Sequence, residues 1–213
     1  MNRSYKQRGK RVLDIIFVLA GFIVVAPVLG LAGLALWISA PGPVIFTQDR
    51  TGQNGRIFRL YKLRTMTENP TRKPGQTRGD DPEILPVGHI LRRFKIDELP
   101  QLWNILKGDM SVVGPRPLVP QMLGLTPDWA HARHVHRPGL TGPVQVRGGT
   151  TLSWTQRWVL DVQYRPTFWG DLGFALKTIG VVMGGEARFY APACIYAPPV
   201  SYSTVTDFAK LRG

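Results

Sequence analysis

FKIDELPQLWNILKGDMSVVGPRP, residues 94–117, is the stretch on which the reading of the chain turns. Asp97 and Glu98 are adjacent acids, and Arg92 and Arg93 lie just upstream. Leu99, Leu102, Trp103 and Leu106 recur at helical spacing, which predicts an amphipathic helix after the acids. Asp97 stands where the N-cap of a helix over 98–106 belongs, with Pro100 in the tolerant first turn and Gly108 as the stop. A proline-pinned loop then presents Arg116. An acid at a helix start between cations stays ionised, and the same surroundings gather phosphate. An ordinary capping aspartate beside a solvated glutamate fits these residues too, and the segment alone leaves both readings open.

The chain has 213 residues, enough for one domain with additions and a sizeable core. Its formal net charge of +13 points to an anionic partner: nucleic acid, anionic lipid or a phosphorylated substrate. Cys194 is the single cysteine, so no internal disulfide forms. The stacking-and-basic motifs of known nucleic-acid modules are missing, which argues against nucleic acid.

Residues 1–11 are basic, with Arg3, Lys6, Arg8, Lys10 and Arg11 and no acid. No charged residue then lies between Asp14 and Asp49. The apolar run within 12–40 is too long for a signal peptide and long enough to cross a bilayer. Two features complicate a simple span. Pro27 falls mid-run and disfavours helical geometry at Ala26. Both flanks are basic, which by the positive-inside rule puts both ends on the cytoplasmic side. A re-entrant helix broken near Pro27 and a kinked spanning helix both fit these residues.

Residues 43–66 switch to β-branched and aromatic character around TGQNG and read as a hairpin. Residues 67–82 read as a polar surface loop. Pro86 opens a short helix with Val87, Ile90, Leu91 and Phe94 on its apolar face. Thr126 and Pro127 predict the start of another helix. Its His131, together with His134 and His136, matches no standard zinc spacing, and a basic, partly solvated helix is the better reading. Glycines and Arg147 in the following loop have the character to approach a phosphate or simply to make turns. Ser153 and Gln156 predict a capping box, and Trp154, Trp158 and Tyr164 suit either a membrane interface or a core. Thr167 starts a last helix whose stripe of Leu172, Ala175, Leu176, Ile179, Val182 and Met183 packs on the domain or lies on a bilayer, with Asp171 and Lys177 facing away. Residues 186–213 carry no periodicity.

KRVLDIIF, SAPGPVIFTQDRTGQNGRIFRLYKLRTM, IDELPQLWNILKGDMSVVGPRP, RPGLTG and LDVQYRPTFWGDLGFALKTI follow one another in an order that resembles bacterial sugar transferases of the small monotopic phosphoglycosyl transferase superfamily. The resemblance covers about residues 9–185. It implies an α+β, mostly helical fold: a re-entrant membrane helix over 12–40, a β-hairpin, and interfacial amphipathic helices around a cytoplasmic-face catalytic domain over 41–185. It implies transfer of a phosphosugar from a UDP-sugar to polyprenyl phosphate with release of UMP, at the bacterial inner membrane. Asp97 takes the role of nucleophile, and Glu98 helps hold Mg²⁺ with it. Arg92, Arg116, Lys62 and Arg147 become candidate phosphate contacts, and the bilayer and the polyprenyl lipid become partners. A homo-oligomer is left open. The chain departs from the family pattern at Gly142-Pro143 and Arg147-Gly148, in a loop whose shape bears on sugar or nucleotide recognition. It also lacks the extra N-terminal helices of larger members and looks like a minimal catalytic form.

Overall fold

The computed structural model describes residues 8–67 and 81–184. The tail 186–213, nearly all of the polar loop at 67–82 and most of the basic segment 1–11 lie outside the described residues.

The apolar run folds as α1 (Lys10–Ser39), a helix of 30 residues and about 45 Å. It continues through Ala26 and Pro27, so the expected break is absent. Proline removes one backbone donor, and the hydrogen bonds on either side suffice to carry the helix across. Asp14, Val18, Ala32 and Leu36 are buried along one seam, with Val25 and Leu29 packed beside them. The opposite face leaves Phe17, Ile23, Val24, Leu31, Trp37 and Ile38 exposed. Apolar surface this continuous marks a lipid or protein contact rather than a water-facing helix.

Both ends of α1 are fastened to the same domain. At its start Lys10 pairs with Asp171 at 2.5 Å, and Asp14 accepts from the Ser111 hydroxyl (3.1 Å) and the Val112 N–H (3.0 Å). Arg11 donates to the carbonyls of Ile105 and Leu106. At its end Arg64 donates to the carbonyls of Ala40 (2.8 Å) and Pro41 (2.9 Å).

The expected hairpin forms from β1 (Ile45–Thr51) and β2 (Ile57–Leu63), antiparallel, with Ile45 opposite Leu63. Asn54 and Gly55 take positive φ in its turn. Two short helices follow, α2 (Pro86–Arg93) and α3 (Gln101–Lys107). Leu91 of α2 is buried, but Ile90 and Phe94 are exposed, against the apolar face expected of them. In α3, Leu102 is buried as expected, whereas Trp103 is 58% exposed and the polar Gln101 and Asn104 are buried. Asn104 explains its own burial: its side chain accepts from the Tyr61 N–H (3.2 Å) and donates to the Arg59 carbonyl (2.7 Å), tying α3 to β2.

Residues read as loop make two short parallel strands, β3 (Ser111–Val113) and β4 (Gly139–Thr141). Glycine is needed where they approach. A Cβ on Gly139 would lie 2.1 Å from the Gly114 nitrogen, and one on Gly142 would lie 2.0 Å from the Gly114 oxygen. Val18, Phe58, Leu60, Leu102, Ile105, Met110, Val112, Val113 and Tyr164 close the core between α1, the hairpin, α3 and β3.

The helix expected after Thr126 is a run of 3-10 turns over Asp128–Val135, and the Thr126 hydroxyl donates to the Met122 carbonyl instead of capping it. The segment is partly solvated, as expected, but Arg133 and His134 are buried in it. The capping box of Ser153 and Gln156 is present at the start of α4 (Trp154–Gln163). Trp158 and Tyr164 are core residues, while Trp154 stays at the surface under Arg157. Thr167 accepts from the Gly170 N–H at the start of α5 (Phe168–Gly184). Its apolar stripe points outward, with Leu176, Ile179 and Met183 exposed. Asp171, expected on the solvent side, is buried instead, held by Lys10 and by the Tyr164 hydroxyl at 2.7 Å.

Candidate active site

The dyad sits ahead of α3 and not on it. Lys95 takes left-handed backbone angles (φ 57°, ψ 20°), and Ile96–Glu98 form one 3-10 turn. Pro100 occupies the position before α3, and no side chain caps that helix. The N-cap expectation for Asp97 is therefore corrected. The left-handed residue redirects the chain, and a non-glycine residue in that region costs on the order of 1 kcal/mol. Strain of this kind next to two acids is a feature of functional turns. Gly108 ends α3 as expected, at φ 92°.

Both carboxylates are buried. Glu98 Oε1 accepts from Lys62 Nζ (3.0 Å) and Arg116 Nη2 (3.2 Å). Burial pushes the Glu98 carboxyl up, but Lys62, Arg116 and Lys95 together outweigh it and hold the group well below the usual range. Asp97 goes the other way: burial first and the Glu98 charge second raise it, against the pull of Lys62, Arg92 and Lys95. Its Oδ1 is buried and has no hydrogen-bond partner among the described residues. The pair therefore divides its roles. Glu98 is a fixed anion, and Asp97 is the more basic carboxylate with a free oxygen.

Arg92, on the last turn of α2, also acts on Asp97 and has a buried Nη1 without a partner. Lys62 comes from β2 and Arg116 from the loop after β3, so three separate elements converge on the turn. Arg147 lies in the 3-10 turn Gln145–Arg147 and, among the described residues, pairs with neither carboxylate.

Sequence reasoning singled out neither of two further contributors. Arg50 of β1 donates to the Pro117 carbonyl (3.1 Å) and to Gln48 (2.6 Å), and its Nε is buried without a partner. Burial, then the Arg116 charge, lowers its guanidinium to about 10 against the pull of Glu98. Its position opposite Phe58 in the hairpin register is the signal, since the neighbouring strand turns that row inward. The second is the ion pair of Arg133 with Asp161, both side chains 2% exposed, in which Arg133 also donates to the Arg116 carbonyl. Only a contact across 28 residues reveals it.

Beside the dyad an apolar groove of about 240 Å³ runs between α1 and α3, lined in part by Phe22, Val25 and Leu29 on one wall and Leu99, Pro100 and Trp103 on the other. Leu99, the residue after Glu98, is the groove's nearest point in the chain to the charged turn.

The chain matches the family described as bacterial sugar transferase over residues 5–185. It belongs to that family. It is 44% identical over 184 residues to the UDP-glucose:undecaprenyl-phosphate glucose-1-phosphate transferase of Caulobacter vibrioides, covering 80% of this chain and 68% of that one. It is 34% identical to the exopolysaccharide production protein ExoY of Sinorhizobium fredii, covering 82% of this chain and 85% of that one. It is 35% identical to a UDP-N-acetylgalactosamine-undecaprenyl-phosphate N-acetylgalactosaminephosphotransferase of Aeromonas hydrophila, covering 83% and 44%. This bacterial sugar transferase is accordingly an enzyme of the phosphoglycosyl transferase type, with one helix, among the described residues, apolar and long enough to associate with a membrane.

Proposed function

We propose that this enzyme transfers a phosphosugar from a UDP-sugar to polyprenyl phosphate in two displacements through Asp97. The observation that carries the reading is the free, basic Asp97 oxygen beside a charge-fixed Glu98, next to a groove of lipid-compatible size and lining. In the first displacement the Asp97 carboxylate attacks the sugar-bearing phosphorus. The bond from that phosphorus to the bridging oxygen breaks, and UMP leaves with the electron pair. In the second, an oxygen of polyprenyl phosphate attacks the same phosphorus, the aspartyl bond breaks, and polyprenyl diphosphosugar is released. Two easier steps replace one, which is the use of a carboxylate nucleophile.

Each neighbour has a defined task. Arg92, Arg116 and Arg50 offset the charge of the approaching phosphates, and burial strengthens that attraction. Lys62 and Arg116 keep Glu98 ionised. Asp97 and Glu98 supply oxygen donors of the kind Mg²⁺ takes, and no third acid or histidine joins them among the described residues, so substrate phosphate and water would complete the set. A bound Mg²⁺ would neutralise developing charge on phosphate oxygens. Pro143 and Arg147 remain candidates for sugar or nucleotide recognition.

The lipid substrate stays in the bilayer, so the site must meet the membrane at headgroup depth. The fastening of both ends of α1 to one domain favours an anchor held from one side, the cytoplasmic side of the inner membrane, even though the helix runs unbroken through Pro27. The product would begin assembly of a membrane-associated glycan.

The test is chemical. Incubated with UDP-sugars and Mg²⁺, the purified protein acquires the mass of a phosphosugar on the peptide bearing Asp97. Full turnover by Asp97→Asn would refute the assignment. A panel of UDP-sugars scored by UMP release identifies the donor.

A further inference from the structure

A second cluster of cations lies apart from the dyad. A cleft of about 50 Å³ opens where the start of α1, the hairpin turn and the approach to β4 meet, lined among others by Lys10, Arg11, Gln53, Ser111, His136 and Arg137. Its charges do not cancel inside the chain. Lys10 is matched by Asp171, and Asp14 is turned to Ser111 and the Val112 N–H. Arg11 spends its donors on the backbone carbonyls of Ile105 and Leu106, which carry no formal charge. Arg137 pairs with no acid among the described residues, and it repels Arg11 across the cleft more strongly than Asp14, which also lines the cleft, attracts Arg11. Two guanidiniums held together in partly buried surroundings raise each other's free energy unless an anion lies between them.

We propose that this cleft binds a phosphate group, in a site separate from Asp97 and Glu98, with Arg137 as its principal ligand. The planar guanidinium fork matches phosphate oxygens, and Arg11, Gln53 and His136 border the same space. The surroundings favour the phosphate of an anionic lipid as the source. Lys10 and Arg11 open the apolar helix α1, and the lining Pro166 lies two residues before the exposed Phe168 and Trp169 of α5. A headgroup held here leaves its acyl chains against those two apolar faces. Free inorganic phosphate or a nucleotide phosphate is the alternative source of the same chemistry.

Thermal unfolding of the full chain in detergent tests this, with four probes: dioctanoyl phosphatidylglycerol, dioctanoylglycerol, inorganic phosphate and UMP. At a hundredfold excess over Kd the phosphatidylglycerol raises Tm by about 5–10 °C, and dioctanoylglycerol, lacking phosphate, does not. Arg137→Gln abolishes the shift, Arg137→Lys keeps part of it, and Asp97→Asn leaves it intact. The Asp97→Asn arm separates this site from the proposed chemistry. Equal shifts from inorganic phosphate or UMP, lost in Arg137→Gln, assign the cleft to free phosphate. An unchanged phosphatidylglycerol shift in Arg137→Gln overturns the proposal, as does loss of the shift in Asp97→Asn. Native mass spectrometry of the unaltered protein gives an answer that needs no variant to fold. Retention of phosphatidylglycerol no better than of dioctanoylglycerol, with no retention of phosphate or UMP, also overturns it.

Discussion

Replacing Asp161 by Asn tests the scaffold behind Arg116. Asp161 and Arg133 are each 2% exposed at the side chain, and Arg133 bridges Asp161 to the Arg116 carbonyl. Burial pushes the Asp161 carboxyl upward, against the pull of Arg133. At neutral pH the substitution leaves a buried guanidinium without its counter-charge, which costs about 3–5 kcal/mol. In a chain of this size each kcal/mol moves Tm by about 2–4 °C, so Asp161→Asn should melt roughly 6–20 °C lower. Arg133→Met with Asp161→Leu removes both charges, and such apolar replacements are often close to neutral. That double variant should recover at least half of the lost Tm. It does not restore the donor to the Arg116 carbonyl, so its turnover should stay below that of the unaltered enzyme. Tryptophan fluorescence at one scan rate reads the melting, and UMP release reads the turnover. A Tm drop under about 3 °C for Asp161→Asn would show that the pair is not a buried ionic contact. Full turnover in the double variant would remove it from the support of Arg116.

Glu98→Gln takes away the second influence that raises Asp97, so the acid limb of the rate of adduct formation should move to lower pH while the rate itself falls. An unmoved limb in a stopped-flow pH series would mean the two carboxylates do not interact. His134 is held down to about 3 by burial, then by Arg133 and His131. The unfolded chain therefore binds its proton first as pH falls below about 6.5, and stability present above that value is lost towards pH 3, by up to about 1.4 kcal/mol per pH unit. Denaturant titrations of His134→Gln should lack that portion of the decline, and a parallel pH dependence in both proteins would contradict it. With Cys194 first replaced by Ser, cysteines introduced at Ser4 and at the exposed Arg56 should label from the same side of sealed vesicles; opposite sides would exclude the one-sided anchor.

Much of the site was legible in the sequence because its residues sit close to the signature. Asp97, Glu98, Arg92 and Arg116 fall within 25 residues of one another, and three of the cations named from the sequence, Lys62, Arg92 and Arg116, act on the turn that carries the two acids. What failed to show was geometry created by distant contacts. The left-handed Lys95 moved the dyad off α3, although the acids themselves were found, because nothing in a lysine announces positive φ. The run after Thr126 has helix-start residues, yet Arg133 and His134 are drawn inward by Asp161 and the Gly52 backbone, and 3-10 turns result. On α5 the periodicity located an apolar stripe but could not say whether it faced the domain. Lys10, 161 residues away, turned Asp171 inward and so sent the stripe out. Residue periodicity finds a face, and only tertiary partners choose its direction.

A helix fastened at each end to one rigid body loses a freedom that single-span proteins rely on. Ordinary transmembrane segments absorb changes in bilayer thickness by tilting. Here Arg11 and Asp14 hold one end of α1 and Arg64 the other, so tilting the helix would require tilting the entire domain. On the proposed one-sided arrangement the protein would in this respect be a float and not a rivet: its height would be set by the leaflet it rests on, and the far leaflet would exert no pull on it. Lengthening the acyl chains of a host membrane would then leave the buried Asp97 carboxylate at an unchanged distance from the headgroups.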